Sequence, residues 1–178
     1  MEQKLAKNKF VMLVGLAGSG KSTYAEYIQE YVCNHNERAV IFSSDALREE
    51  FYGDASIQGD NTRIFNELNS RTLRHLSDGY TAIYDATNLN AKRRVALLKE
   101  VRAINPNIDC ICVFCQVSPY TCIERQSTRT RVVPEVVIKR QYRQLEIPSY
   151  GEGWDKIYRA PQTPGEDMFL YERMDLPR

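Results

Sequence analysis

The stretch Gly15-Leu16-Ala17-Gly18-Ser19-Gly20-Lys21-Ser22 fits the pattern G-x-x-x-x-G-K-[ST] at every position. Residues 10–14 before it form an apolar run typical of a buried strand, and residues 23–31 after it have the pattern of a helix. Glycines at such a turn let successive backbone N–H groups face a chain of phosphates, and the start of the helix adds a favourable dipole. The stretch therefore predicts a binding site for a nucleoside triphosphate.

The residues of this loop have distinct predicted roles. Lys21 is expected to reach the β- and γ-phosphates, and the Ser22 hydroxyl is expected to ligate Mg²⁺. The predicted nucleotide-binding residues of the loop are Gly15, Gly18, Ser19, Gly20, Lys21, Ser22 and Thr23. The nucleotide and its metal ion are thus expected at the junction of the first strand and the first helix.

Length and composition limit the classes of protein to consider. The chain has 178 residues, of which 43% are hydrophobic and 26% charged, so we expect a single globular domain over residues 1–178. A net charge of +1 excludes nucleic-acid binding by bulk charge alone but allows a local basic groove. Since no apolar run suits a membrane span or a signal peptide, we expect a cytoplasmic protein that does not bind membranes.

Four of the five cysteines lie close together in the sequence, at Cys110, Cys112, Cys115 and Cys122. A zinc site would need further ligands, and both histidines, His35 and His75, are distant in sequence. Residues 108–117 are apolar and rich in β-branched side chains, which favours a central strand with buried thiols. A metal or redox role for the cysteines is the alternative.

Strand and helix signals alternate along the chain. The strand signals lie at 10–14, 38–43, 81–85, 108–116 and 155–160, and the helix signals at 21–35, 45–52, 61–77, 91–104, 118–128 and 134–146. This alternation predicts an α/β fold with a doubly wound parallel sheet, helices on both faces, and ligands beyond the carboxyl ends of the strands. The tail 161–177 is expected to be irregular or to add a short edge strand.

A candidate catalytic carboxylate, Asp45, follows the second predicted strand. At a strand-to-helix junction it is suited either to capping the helix or to accepting a proton from an attacking hydroxyl in the cleft. Arg48 lies three residues on, on the same helical face, and is suited to holding a phosphate of the acceptor. Beside a triphosphate-binding loop, catalysis is the favoured interpretation of Asp45.

Polar residues also follow the third predicted strand. Asp85 ends this apolar strand. In nucleotide-binding proteins a carboxylate at the end of such a strand can hold Mg²⁺ through its water shell. Thr87, Asn88 and Asn90 come next and are neutral hydrogen-bonding groups suited to positioning the acceptor. Asn90 is also expected to cap the following helix.

Arginines cluster in the segment 125–131, between two predicted helices. Arg125 and Arg129 are four residues apart, which places them on one face of a helix. Phosphoryl transfer needs cations at the oxygens of the transferring group, and a closing lid supplies them while excluding water. We therefore expect a helical lid over about residues 118–146, with a solvated charged surface as the alternative.

These four blocks together resemble P-loop kinases of the polynucleotide 5′-hydroxyl-kinase type, within the wider group of small AAA-type and zeta-toxin-like ATP-dependent kinases. The resemblance extends from Gly15 to about Leu145 and rests on G-x-x-G-S-G-K-S-T, D-x-x-R, T-N-L-N-x-x-R-R, and R-x-x-x-R ahead of V-P. It implies a kinase-type P-loop fold with a helical lid. The implied reaction transfers the γ-phosphate of ATP, with Mg²⁺, to a hydroxyl acceptor, in the first place the 5′ end of a nucleic acid.

The resemblance also implies roles for single residues. Asp45 is similar to the general base, Arg48 to the residue that holds the acceptor phosphate, and Arg129 to the lid arginine on the transferring phosphate. Arg125 is similar to a second lid contact to the donor. The pattern of phage polynucleotide kinases has an Asp directly before T-N-L-N, whereas Asp85 lies one residue earlier in this chain. The metal ligand is therefore either Asp85 or a neighbour.

Other functions remain open on the sequence alone. A kinase of the same fold that acts on a small molecule or nucleoside is favoured by the near-neutral charge. A groove lined by Arg48, Arg71, Arg74 and Arg93 would instead favour a polynucleotide. An NTP-hydrolysing switch or motor subunit would need a water-positioning Gln or Glu and no base like Asp45. Trp154 is suited to stacking on a base, although packing is the favoured interpretation.

Overall fold

The protein is described here from a computed structural model, which places residues 8–35 and 37–160 and the backbone of residues 169 and 170. Its strands are β1 (Lys9–Val14), β2 (Ala39–Ser43), β3 (Thr81–Asp85), β4 (Asp109–Phe114), β5 (Lys156–Arg159) and β6 (Phe169–Leu170). They form one sheet in the order β2-β3-β1-β4-β5-β6. The first five strands are parallel, and β6 pairs antiparallel with β5 at the edge. The predicted α/β fold class is confirmed.

The helices are α1 (Lys21–Asn34), α2 (Ser44–Tyr52), α3 (Asn61–Ser77), α4 (Ala91–Ile104), α5 (Pro119–Glu124) and α6 (Glu135–Gln144). Two short 3₁₀ turns, Arg125–Thr128 and Tyr150–Glu152, follow α5 and precede β5. The predicted helix over 118–128 is thus divided, because the hydroxyls of Ser127 and Thr128 donate to the carbonyls of Glu124 and Arg125 and compete with the helical pattern. Most of the tail predicted over 161–177 lies outside the described residues.

Alternate residues of β1 face the two layers of helices. Phe10 and Met12 belong to a core that includes side chains of α2, α3 and α4. Val11 and Leu13 point to the other face, where they pack with the buried side of α1. The predicted sheet with helices on both faces is therefore present. Within residues 8–35 and 37–160, no helix is long and apolar enough to span a membrane.

The cysteines of the 110–122 region are core residues. Cys110, Cys112, Cys115 and Cys122 are all free and buried. Burial raises the pKa of the Cys115 thiol to about 12 and the pKa of the Cys110 thiol to about 12, so both remain protonated thiols at neutral pH. This placement matches the predicted central strand with small apolar thiols. The strand ends at Phe114 rather than at residue 116, because its neighbour β1 ends at Val14.

A buried ion pair connects α4 to the turn before β5. Arg94 donates from Nε and Nη2 to both oxygens of Glu152, at 2.8 and 2.6 Å, and its Nη1 donates to the carbonyls of Asn88 and Leu89. Glu152 also accepts from the Trp154 indole N–H at 3.1 Å. Trp154 stacks on Phe10, with ring centroids 6.4 Å apart, so the packing interpretation of this tryptophan is the one the structure supports.

Glu152→Gln is expected to destabilise the fold strongly. It keeps the size of the side chain but leaves the buried Arg94 charge without its counter-charge, which costs about 3–5 kcal/mol of unfolding free energy. The matched control is Glu135→Gln, since the Glu135–Lys139 pair on α6 is more than half exposed and is worth at most about 1 kcal/mol. Thermal unfolding compares the two variants, and equal shifts in Tm would contradict the structural role of the buried pair.

Candidate active site

The loop between β1 and α1 is closely fitted to its surroundings. The Gly15 N–H donates to the Thr87 carbonyl at 3.1 Å, which ties the loop to the segment after β3. A Cβ atom on Gly15 would lie 2.6 Å from Ser19 Oγ and 2.8 Å from the Cys115 carbonyl. Gly18 has a φ of +84°, and a Cβ atom there would lie 2.5 Å from Gln126 Nε2. Glycine is therefore required at both positions.

Lys21 lies at the start of α1 and is buried beneath this loop. Its ammonium group donates to the Leu16 carbonyl at 2.7 Å. Burial lowers the pKa of Lys21, while the charge of Asp85 acts in the opposite direction. The lysine is thus held at the loop by a carbonyl that an anionic ligand can replace.

Ser22 and Asp85 meet at the end of β3. The Ser22 hydroxyl donates to Asp85 Oδ2 at 2.9 Å. Asp85 is only 6% exposed, and its burial raises its pKa, whereas the neighbouring Lys21 lowers it. One hydroxyl and one carboxylate are oxygen donors of the kind that Mg²⁺ takes in nucleotide sites together with phosphate oxygens and water. The two predicted metal ligands therefore lie together.

Asp45 lies in the first turn of α2 but does not cap that helix. The cap is Ser43, whose side chain accepts a hydrogen bond from the Ala46 N–H. Ser43 in turn pairs with Asp85 across β2 and β3, which places Asp45 next to the metal-ligand pair. The charge of Asp45 contributes to the pKa of both Lys21 and Asp85. The Asp45 side chain is 57% exposed.

Two arginines bind the Asp45 carboxylate. Arg48 Nη1 lies 3.1 Å from Oδ1, and Arg131 Nη1 lies 2.8 Å from Oδ2. Arg48 is only 7% exposed and also donates to Asn61 Oδ1 at 3.0 Å. Its Nε is buried and has no hydrogen-bond partner within the described residues. A buried donor without a partner is uncommon in proteins and fits a side chain that binds a ligand.

The predicted acceptor-binding residues Thr87, Asn88 and Asn90 serve the backbone in this structure. Asn88 has a φ of +51°, and its amide donates to the Leu13 and Ala86 carbonyls at 2.6 and 3.1 Å. Asn90 caps α4 by accepting from the Arg93 N–H. Thr87 contributes its carbonyl to Gly15. This segment therefore shapes the floor of the cleft, and Arg94 holds it from below.

The predicted basic groove has less unpaired positive charge than the sequence indicates. Arg71 pairs with both oxygens of Glu50, at 2.7 and 2.8 Å, and with Glu67 at 2.6 Å. These acidic partners lie on α2 and on α3 itself, and sequence spacing reveals only the second of them. Arg71 is thus already neutralised by neighbouring carboxylates.

The segment predicted to form a lid contacts the loop between β1 and α1. Arg125 Nη1 lies 3.4 Å from the Gly18 carbonyl. Arg129 directly follows the 3₁₀ turn, and its charge contributes to the pKa of Cys122 beneath the loop. Within the described part of the chain, Arg129 has no carboxylate partner, unlike Arg131. Arg129 has an extended backbone past the end of the 3₁₀ turn, so the prediction that Arg125 and Arg129 share one face of a helix is wrong.

Two glutamines and one arginine of the lid region were not predicted as site residues. Gln141 Oε1 accepts from the Ala17 N–H at 2.9 Å, so α6 contacts the loop directly. Gln126 is buried, donates to the Cys122 carbonyl and accepts from the Val133 N–H. Arg131 belongs to the predicted arginine segment, but its contact with Asp45 crosses between distant elements. A neutral glutamine carries no sequence signal of such a role.

Three known proteins illustrate the likeness. The chain is 23% identical over 150 residues to an L-seryl-tRNA(Sec) kinase of Methanococcus maripaludis, covering 82% of this chain and 55% of that protein. It resembles a solved Pnkp1/Rnl/Hen1 RNA repair complex with a TM-score of 0.63 and 20% identity, covering 81% of this chain and 46% of the other. The Mycobacterium tuberculosis APS kinase CysC, solved with AMPPNP and APS, gives a TM-score of 0.56 and 26% identity over 68% of this chain and 70% of that one.

The chain therefore spans about half the length of the curated relative. The five parallel strands and their helices form the fold that these kinases share. The family model described as an AAA domain matches residues 10–148, and the chain belongs to this family of P-loop kinases.

Proposed function

We propose that this protein is a kinase that uses ATP and Mg²⁺ to phosphorylate a hydroxyl group, with the 5′-OH of a polynucleotide as its acceptor. The observation that carries the proposal is the position of Asp45. Its carboxylate lies between Arg48 and Arg131. Its charge acts to raise the pKa of both Lys21 and Asp85. A carboxylate at this place is suited to accepting a proton from a hydroxyl that faces the γ-phosphate.

The donor half of the site consists of the loop and the lid. The backbone N–H groups of residues 20–23, at the start of α1, hold the phosphates, since those of Gly15, Ala17 and Ser19 bind protein acceptors. Lys21 leaves the Leu16 carbonyl to neutralise the charge of the phosphates. Ser22 and Asp85 would hold Mg²⁺, which would neutralise the charge that develops on the phosphates. Arg125 and Arg129 neutralise the transferring group from the lid.

The acceptor half consists of α2 and the segment after β3. Asp45 takes the proton of the hydroxyl as its oxygen forms a bond to the γ-phosphorus and the bond to the β–γ bridging oxygen breaks. Arg48 holds a phosphate of the acceptor near this base. The Thr87–Asn90 segment, shaped by its backbone contacts, limits how deeply the acceptor enters.

Support for a polynucleotide comes from the T-N-L-N-x-x-R-R block and from two of the relatives. One of those relatives is a kinase named for L-seryl-tRNA(Sec), and the other belongs to an RNA repair complex. These likenesses favour acceptors attached to RNA.

A small-molecule acceptor is the second candidate. Arg71 is neutralised by Glu50 and Glu67, which removes one cation from the groove that a polynucleotide would follow. The APS kinase is a relative whose solved structure holds a small anionic nucleotide, APS. Both observations favour a compact anionic acceptor.

A hydrolysing switch or motor finds less support in the site. Such a protein needs a side chain that positions water at the γ-phosphate. The two glutamines next to the loop, Gln126 and Gln141, bind backbone groups instead.

A radiolabelled phosphate-transfer screen tests the proposed function. The wild type is expected to label 5′-OH oligonucleotides from [γ-³²P]ATP, and Asp45→Asn is expected to lower the rate about 10²–10⁴-fold while ATP affinity stays near normal, because only the proton acceptor is lost. Label on a nucleoside or metabolite and on no oligonucleotide would replace the polynucleotide by the second candidate. Unchanged turnover in the Asp45→Asn variant would remove the base assignment.

Asp85→Asn is expected to abolish most of the stabilisation that Mg·ATP gives over ATP with EDTA. Burial raises the folded-state pKa of Asp85 above its unfolded value, so its ionised form costs stability above that pKa. The unliganded variant is therefore expected to be at least as stable as the wild type, and the Mg²⁺ affinity of the wild type is expected to fall as pH drops through the raised pKa. Thermal unfolding measures both effects.

The matched control for this substitution is Asp109→Asn, since Asp109 lies at the opposite end of the sheet and pairs with Lys156. It is expected to keep the full Mg·ATP effect. Retention of that effect in Asp85→Asn would assign the metal to other ligands.

Arg129→Gln is expected to lower kcat about 10²–10³-fold with little change in acceptor KM, because its charge is needed mainly while the phosphoryl group transfers. Arg140→Gln, an exposed arginine on α6 with no ion pair among the described residues, serves as the control and is expected to behave like the wild type. Steady-state kinetics with the acceptor found in the screen measures both. Equal rates for the two variants would exclude Arg129 from the reaction.

A further inference from the structure

The ion pair between Asp45 and Arg131 joins the lid to the base. Arg131 lies in the segment between the 3₁₀ turn Arg125–Thr128 and α6, whereas Asp45 lies in the first turn of α2. Arg131 Nη1 is 2.8 Å from Asp45 Oδ2, and Arg48 Nη1 is 3.1 Å from Oδ1. Both carboxylate oxygens are therefore engaged by guanidinium groups.

Each oxygen of this carboxylate accepts one charge-assisted hydrogen bond from an arginine. A hydroxyl that approaches either oxygen must share it with a guanidinium group. An acceptor that displaces one arginine meets an Asp45 oxygen without a competing donor. A neutral hydroxyl offers a guanidinium no replacement for a carboxylate, whereas an anionic group does.

The two arginines differ in how easily they can leave. The Arg48 side chain is 8% exposed and is fixed by its second bond to Asn61, whereas the Arg131 side chain is 32% exposed. The other acid near Arg131 is Asp54, which is fully exposed, and whose pKa is lowered mainly by the Ser56 backbone N–H and to a lesser extent by Arg131. Of the two arginines, Arg131 is thus the one that can leave Asp45 and bind another anionic group.

We propose that Arg131 is a specificity-determining residue, which admits acceptors that carry a phosphate beside the reacting hydroxyl. The phosphate binds Arg131 and the unpaired Nε edge of Arg48, draws Arg131 away from Asp45 Oδ2, and so leaves this oxygen available to the hydroxyl proton. No covalent bond changes in the exchange, since Arg131 replaces one anionic partner by another. The proposal rests on the proposed function, because it takes Asp45 as the base.

The first consequence is that the site selects acceptors by their phosphate. This selection requires no pocket that binds the other parts of the acceptor. An acceptor without a phosphate finds its base paired with Arg131, while one with a phosphate releases the base as it binds. The same exchange links the lid to the acceptor, because Arg131 lies between the lid elements.

Steady-state kinetics with two matched acceptors tests the proposal. Uridine 3′-monophosphate and uridine share the same 5′-OH and differ by one phosphate. The wild type is expected to prefer the monophosphate strongly in kcat/KM. Arg131→Gln is expected to lower that preference by about tenfold or more, by raising KM for the monophosphate while the rate with uridine is kept or increased.

Two further variants separate this role from a general structural one. Arg131→Lys is expected to restore part of the preference, because it keeps a cation at the site. Arg140→Gln removes an arginine of the same lid with no contact to Asp45 and is expected to leave the preference unchanged. A fall by one common factor with both acceptors in Arg131→Gln would overturn the proposal.

A binding measurement keeps the proposal testable if neither nucleoside is phosphorylated, an outcome that would count against the proposed function alone. Inorganic phosphate is titrated calorimetrically into the full chain saturated with AMPPNP and Mg²⁺, so that the donor site is already filled. Asp45→Asn is expected to bind phosphate about tenfold more tightly because the competing carboxylate is gone, and Arg131→Gln more weakly. Equal affinities in the wild type and both variants would overturn the role of Arg131.

Discussion

The contact between Gly15 and its surroundings is the constraint on which the site depends. The N–H of Gly15 binds the Thr87 carbonyl, and the space of a side chain is taken by Ser19 Oγ and the Cys115 carbonyl. The ends of β1, β3 and β4 are thereby held together at one edge of the sheet. The proposed metal ligands extend from that edge, and the proposed base Asp45 joins them through β2, whose Ser43 pairs with Asp85.

Electrostatics at this edge is arranged for a ligand that brings negative charge. Lys21 and Asp85 are both buried, and desolvation shifts the pKa of each towards its neutral form. The lysine rests on a carbonyl and the carboxylate on a hydroxyl, which only partly replace water. A bound nucleotide with its metal ion would supply charges of opposite sign to both groups. Binding would therefore offset the desolvation free energy of these two buried charges.

Local sequence patterns predict the fold and half of the site. The strand and helix signals predicted each parallel strand within a few residues, because apolar periodicity and turn residues act over short distances. Ser22 and Asp85 were predictable as a pair, since both follow strands that end at one edge. Arg94 and Glu152 were not, because they are 58 positions apart and no local pattern marks a buried ion pair. The ion pair between Arg71 and Glu50 was not predictable for the same reason. It lowers the positive charge of the groove that the sequence indicates.

Trp154 gives the buried ion pair an optical consequence. It is the one tryptophan of the chain, and its indole N–H is bound to Glu152, whose other contacts run through Arg94 to the Asn88 and Leu89 carbonyls. Indole emission depends on the charges and hydrogen bonds around the ring. The intrinsic fluorescence of this chain therefore reports from a single place, three contacts away from the segment after β3, without any label.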